Sequence, residues 1–333
     1  MYNHLQETGK MTVRKNLIRL SLISIRRILV LAGLMVSVIC CTGKNKIPDE
    51  TPTRGKIKIG VDESYKPIMD AEIQTFTKEY PNAEITPLYK PEYDVISDFI
   101  NDSVRIIVTN NQLTEDQVEY LRKQLIVVRN VTFAYDALAF IINKENNDTL
   151  LSYNTIQDIF HSKITSWKEI NPESKLGNIS VVFDHSGSGN VRYFKQKFDI
   201  TGDLPDNFYA VNSNPEVIEH ISRNINHLGI ISVNWISDKN DSLSLSFINK
   251  IKVVAVSRPY LDESTYYRPL QGSIYDKSYP FTREVYLVSR ETFTGLGSGF
   301  IAWAAGEKGQ KIVLKSGLVP ATMPIRLIQI ANQ

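Results

Sequence analysis

From residue 56 onward the apolar positions change period repeatedly. Lys56-Ile57-Lys58-Ile59-Gly60-Val61 alternates polar and apolar, which predicts a strand. Met69, Ile73, Phe76 and Tyr80 then recur at spacings of four, three and four, which places them on one face of a helix. Pro67 suits the first turn of that helix. Residues 84–88 predict a second strand and 93–101 a second helix. The short apolar run 105–109, bounded by Asn110-Asn111, predicts a buried strand. Such β-α-β-α-β alternation implies a parallel sheet covered by helices, with ligands held beyond the carboxyl ends of its strands. Those ends fall near residues 62–65, 88–94 and 109–112. Further strands are predicted over 135–143, 179–183, 228–233, 252–256 and 284–289, and a short helix over 155–160. A helix after residue 190 carries Val191, Phe194 and Phe198 on one face. Residues 259–280 read as a long connection, and 298–316 as one final helix ended by Gly317.

The first 41 residues follow a different pattern. Residues 28–39, ILVLAGLMVSVI, are apolar or small and follow Arg26-Arg27. Twelve residues are too few to cross a bilayer as a helix, which takes about 20. A basic segment before a short apolar run is the layout of a secretory signal. Met11 makes a better start for it than Met1. The only two cysteines, Cys40 and Cys41, close the run, so no disulfide can staple the mature fold. Val38-Ile39-Cys40-Cys41 resembles the site where a bacterial lipoprotein is cleaved and acylated, with Cys41 as the lipidated residue. A plain cleaved signal or an uncleaved anchor is the alternative. Residues 42–55, polar with two prolines, predict a flexible tether.

Composition narrows the class. A chain of 333 residues that is 42% apolar can build two domains with a sizeable core, which excludes a disordered tail protein or a disulfide-stapled miniprotein. The formal charge of +2 divides unevenly, because residues 1–41 carry six basic side chains and one acid. The remainder is slightly acidic, which argues against a nucleic-acid binder. The five histidines show no ligand spacing and the body has no cysteine, so no metal or other cofactor is expected.

The loop Ser186-Gly187-Ser188-Gly189, between a predicted strand and a predicted helix, is the strongest local signal. Glycines let backbone N–H groups converge, and the helix start adds partial positive charge, which together suit an anion. A capped helix start after a flexible turn is the plainer alternative. No Gly-Lys-Ser/Thr follows, so this is not a nucleotide P-loop, and Arg192 stands where a dinucleotide fingerprint needs its third glycine. Asp62, Glu63 and Glu92 lie near the predicted crevice, either as paired catalytic carboxylates or, the preferred expectation, as solvated loop acids.

Several segments together resemble one family. Asp158 through Trp167 resembles the IFxGKITNW segment of the phosphate-binding, PstS-like periplasmic proteins that serve ABC transporters. Ser186-Gly187-Ser188-Gly189 resembles that family's anion loop, and Leu228-Gly229-Ile230-Ile231-Ser232 its GAIGY strand. Tyr279-Pro280-Phe281-Thr282-Arg283 resembles its YPLxR return to the hinge. Gly309 through Pro320 resembles its last helix. The resemblance implies an α/β two-lobed periplasmic-binding-protein fold of type II, crossed twice by the chain near 133–140 and 283–289. The leader over 1–41 and the tether over 42–55, read from the residues above, precede it. One lobe would then be built from 56–134 and 283–333, and the other from 135–282.

The resemblance also implies site residues. Ser64 and Tyr65 fall on the family's first loop contacts, Thr109 and Asn110 on the end of its third strand, and Ser188, Gly189 and Asn190 on its Ser-Gly-Thr. Asp184 falls where the family has an arginine that pairs with phosphate, and Asn110 where it has the aspartate that accepts the phosphate proton. Glu92 or Tyr93 falls near its serine of the second loop. The expectation is therefore a lipid-anchored, monomeric receptor on the periplasmic side of a bacterial membrane. It would be no enzyme, would not bind nucleic acid, and would pass a small oxyanion, phosphate foremost, to an ABC permease. Phosphate binding should be weak and should tighten as pH falls. Arg192 is a substitute cation or, the preferred expectation, a solvent-facing helix residue. Gly189 is expected to need a positive φ. A sensor or scaffold lipoprotein with the same fold is the alternative function, and a secreted hydrolase is a further one that no triad or metal set supports.

Overall fold

The structure is a computed structural model that describes residues 49–259 and 264–324. The leader, Cys41 and the tether up to residue 48 lie outside the described residues. The chain opens with β1 (Gly55–Asp62), α1 (Lys66–Glu79), β2 (Ala83–Lys90), α2 (Glu92–Ile100), β3 (Ile106–Thr109) and α3 (Glu115–Lys123). β1 lies between β2 and β3 and runs parallel to both, as the alternation requires. Ile57, Ile59 and Val61 of β1 are buried, and α1 lays Ile68, Met69, Ile73 and Phe76 into the same core.

β4 (Arg129–Asn143) is long enough to serve two halves of the sheet. Its residues 129–137 pair antiparallel with β12 (Thr282–Ser289), which in turn pairs with β3. Its residues 138–142 pair with β8 (His227–Ser232). Beyond β8 lie β6 (Ser180–Phe183) and β7 (Phe208–Ala210), parallel to one another and to β8. The strand order β2-β1-β3-β12-β4-β8-β6-β7 thus joins two βα lobes through two adjacent strands, β4 and β12. These strands cover the segments 133–140 and 283–289 where the resemblance implies the crossings. Between Val285 and Tyr286 the β4–β12 register shifts and leaves Phe133 unmatched, and the Gln310 side chain donates to its carbonyl at 2.9 Å.

The second lobe adds β5 (Leu150–Leu151), α4 (Tyr153–Phe160), α5 (Trp167–Ile170), α6 (Gly189–Lys197), α7 (Asn214–Arg223), α8 (Ser242–Ile248), β9 (Ile251–Val253) and β10 (Ala255–Ser257). Its core holds an aromatic cluster. Phe140, Phe160, Phe194, Phe198 and Phe281 are all buried and pack ring against ring. Three readings of the sequence need correction here. The strand expected over 252–256 is two, β9 and β10, which join different sheets. The connection over 259–280 contains β11 (Tyr266–Tyr267) and α9 (Gln271–Tyr275). The final helix is two, α10 (Leu296–Ala304) and α11 (Glu307–Lys315), followed by β13 (Val319–Pro320). The chain extends at Gly306 and folds back so closely that a Cβ on Gly309 would lie 2.3 Å from the Ala304 carbonyl oxygen. Both helices keep an apolar face, so their periodicity reads through the break. Gly317, at φ +85°, ends α11 in the left-handed conformation that glycine adopts without strain.

Candidate functional site

The carboxyl ends of the parallel strands meet between the lobes. A single helical turn, Glu63–Tyr65, carries the chain from β1 into α1. Asp62 caps this turn, its Oδ1 accepting from the Ser64 N–H at 3.0 Å. Asp62 Oδ2 is buried with no hydrogen-bond partner among the described residues. Burial, reinforced by the Glu92 charge, pushes the Asp62 carboxyl well above its usual range, against the opposing pull of Arg283. Glu63 reaches the other lobe, where its Oε2 accepts from the N–H and Nδ2 of Asn214 at 3.2 and 2.6 Å. Burial pushes the Glu63 carboxyl up to about 7.

At the start of α2, Glu92 is buried. It accepts from the Thr109 hydroxyl and, at 3.1 Å, from Asn111 Nδ2. Its second oxygen faces Arg192 Nε of the other lobe at 3.0 Å. After β3 comes Asn110, whose Oδ1 is likewise a buried acceptor without a partner among the described residues.

In the second lobe β6 runs into the glycine loop and then into α6. Ser188 caps α6, accepting from the Val191 N–H at 3.3 Å and donating to Asp184 Oδ1 at 2.7 Å. Asp184 Oδ2 accepts from Asn214 Nδ2 at 3.2 Å, and burial raises its carboxyl pKa. The first N–H groups of a helix have no intrahelical partner and carry its positive end. In α6 they belong to Gly189 and Asn190. A Cβ on Gly189 would lie 2.2 Å from Asn110 Oδ1 and 2.7 Å from Asp62 Oδ2. These two acceptors of the first lobe, Asp62 Oδ2 and Asn110 Oδ1, therefore converge on the first turn of α6.

Between the lobes lies Arg283, on β12. Its Nε donates to Asp136 Oδ2 at 2.9 Å, and Nη2 lies 2.8 Å from the same oxygen. Its Nη1 donates to Asn190 Oδ1 at 2.7 Å, which turns the Asn190 Nδ2, itself without a partner, the other way. The guanidinium also sits 5.1 Å above the Tyr65 ring. Ser232, on β8, steadies Asp136 with a hydroxyl donated at 2.9 Å.

Of the residues expected from the sequence, Ser64, Asn110, Ser188, Gly189 and Asn190 come together. Ser64 Oγ donates to Asn190 Oδ1 across the lobes at 3.4 Å. Thr109 turns its hydroxyl to Glu92, and Tyr65 is a buried platform under Arg283. Three expectations are overturned. Asp62 and Glu92 are not solvated loop acids, since each is at most 1% exposed and faces the opposite lobe, and Glu63 is tied to Asn214. Arg192 is half-buried against Glu92 rather than solvent-facing. Gly189 does not have a positive φ, because α6 already begins there. What excludes a side chain at Gly189 is Asn110 and Asp62. The sequence pattern does not single out Arg283, Asp136 or Asn214 as site residues. The capping pattern Ser213-Asn214-Pro215 is the one local signal for Asn214.

The chamber thus offers unpartnered acceptors on one lobe. On the other it offers helix N–H groups and an amide donor, with a guanidinium beside them. That set suits an oxyanion that itself carries a proton. The PBP superfamily domain matches residues 47–308, and the chain belongs to that superfamily. A phosphate-binding protein PstS from Borreliella burgdorferi is 23% identical over 272 residues, covering 79% of this chain and 89% of its own. A Staphylococcus saprophyticus PstS is 19% identical over 253 residues, covering 76% and 75%. Among solved structures, a substrate-binding protein from Clostridium perfringens with bound phosphate aligns with a TM-score of 0.68 at 24% identity, covering 80% of this chain and 100% of that one. An ABC-type phosphate transport receptor from Vibrio cholerae aligns at 0.61 and 20%, with the same coverage. The two-lobed periplasmic-binding fold expected from the sequence is the one found.

Proposed function

We infer that this protein captures a small, protonated oxyanion of the phosphate type between its lobes and delivers it to an ABC permease. Export by the leader and a thioether lipid on Cys41 would hold it outside the cytoplasm as a membrane-tethered monomer. It would act as a binder rather than an enzyme. The observation that carries this reading is the convergence of Asp62 Oδ2 and Asn110 Oδ1 on the first turn of α6 beside Arg283. Loss of the family's arginine at position 184 and its aspartate at position 110 is offset from other strands. Arg283 on β12 supplies the cation, and Asp62 on β1 supplies a carboxylate beside Asn110. The site residues assigned to the ligand are Ser64, Asn110, Ser188, Gly189 and Asn190, together with Asp62 and Arg283.

The carboxylates set the pH dependence. Asp62, Asp136 and Asp184 are buried, and burial raises all three pKa values. An incoming anion raises them further, so capture takes up protons and affinity rises as pH falls, by at most about tenfold per pH unit for each proton. Asp62 and Asn110 fill the space over Gly189 in the closed form, so the anion enters when the lobes part, and the two side chains shift to hold it as the lobes close again. The same self-filling favours, as the second reading, a sensor that kept the fold and lost its ligand. Calorimetric titration of the full-length protein with phosphate, sulfate and molybdate at pH 6, 7 and 8 tests the proposal. Saturable phosphate binding, tightest at pH 6 and at least tenfold stronger than sulfate, supports it. Equal affinity for sulfate, or silence toward every anion of the panel, refutes it.

A further inference from the structure

A groove of about 770 Å³ runs between α2 and α6, starting at Glu92 and Ser188 beside the chamber. An inorganic phosphate has five heavy atoms, and at about 30 Å³ for each water-sized unit it fills on the order of 150 Å³. The groove is therefore far larger than that anion needs. Its walls come from both lobes, so it forms only when they close. Ile96, Val191 and Ile200 make its floor apolar, while Ser97, Gln117 and Gln196 supply hydroxyl and amide groups. At its rim Tyr93 is 75% exposed, and its backbone N–H donates to the Gly187 carbonyl of the anion loop at 3.2 Å. The ring thus stands at the groove mouth on a fixed backbone. Arg192, between groove and chamber, has a buried Nη2 with no hydrogen-bond partner among the described residues.

We propose that the groove holds the sugar body of a phosphate monoester whose phosphoryl group occupies the chamber. This rests on the reading of the chamber as an oxyanion site and names the ligand class of that site. A sugar ring has an apolar face that lies on an aromatic ring and hydroxyls that bond to amides, which is the chemistry that Tyr93, Gln117 and Gln196 present. Arg192 Nη2 is placed to donate to an oxygen of the ester or the ring. A phosphate monoester also retains a second ionisation near neutral pH, so it still brings a proton to Asp62 and Asn110 at mildly acidic pH.

The test is calorimetry on the full-length protein in detergent micelles at pH 6 with glucose 6-phosphate, inorganic phosphate and glucose. Glucose 6-phosphate should bind at least tenfold more tightly than inorganic phosphate, and glucose should not bind. Ser97→Trp fills the groove from an exposed position, and Tyr93→Ala removes the platform. Each should cost glucose 6-phosphate at least tenfold while leaving inorganic phosphate within about twofold. Inorganic phosphate binding as well as or better than the sugar phosphate overturns the groove assignment alone. So does a Ser97→Trp protein with unchanged preference. Failure of both phosphates to bind overturns the chamber reading and this proposal with it, as does glucose binding as tightly as its phosphate.

Discussion

Gly189→Ala separates closure of the lobes from folding of either one. Alanine is favoured over glycine in a helix interior by up to about 1 kcal/mol, and at the first residue of α6 the change leaves the helix itself no weaker. The new methyl carbon, however, would lie 2.2 Å from Asn110 Oδ1, where ordinary contact begins at 3.4 Å. Asn110 and Asp62 belong to the first lobe and Gly189 to the second, so the overlap of about 1.2 Å falls wholly on the closed form. Overpacking of this size costs about 1–3 kcal/mol. If closure and binding are coupled, anion affinity should drop about 5- to 150-fold. The melting temperature should stay level or rise. Titration calorimetry reads the first effect and scanning calorimetry the second. Small-angle scattering of the ligand-free variant should show an expanded particle. Pairing the change with Asn110→Ala closes a double-mutant cycle, in which the penalty of Gly189→Ala should shrink because the opposing oxygen is gone. Wild-type affinity and wild-type compactness in a folded Gly189→Ala protein would refute the reasoning. So would a penalty that is unchanged when Asn110 is alanine.

Arg283→Met should destabilise the protein by about 3–5 kcal/mol, because it leaves Asp136 buried and unpaired. Arg283→Met with Asp136→Leu should recover most of that stability but not phosphate binding, and recovery of both would show that Arg283 is not a ligand group. Glu63 carries a pKa raised from 4.5 to about 7, so the stability it contributes is full below 4.5 and lost as pH rises through about 7. Melting temperatures between pH 5 and 8 should accordingly fall more steeply for the wild type than for Glu63→Gln, and parallel curves would count against this. Cys41→Ala should release the protein to the soluble periplasmic fraction or block its processing, whereas unchanged membrane retention and unchanged mass would exclude a thioether lipid there.

Local features of the fold are legible in the order of residues alone. The change of period from strand to helix over residues 56–109 dictates a parallel βαβ half. Ser188 followed by Gly189 announces a capped helix start, because capping depends on residues three positions apart. The apolar run 135–143 reads as a buried strand, but that this strand crosses between the lobes comes from the family resemblance rather than from the pattern, and its start at Arg129 from the structure. The charge logic of the site is not readable in that way. Arg283 meets Asp136 and Asn190 from 147 and 93 residues away, through a strand order that sets β12 between β3 and β4. Asp62, Glu63 and Glu92 look like loop acids in one dimension, and only closure of the second lobe over them removes their water and raises the pKa of Asp62 and Glu63. Secondary structure and caps follow from neighbours along the chain. Desolvation and ion pairing follow from neighbours in space, and those the tertiary structure alone decided.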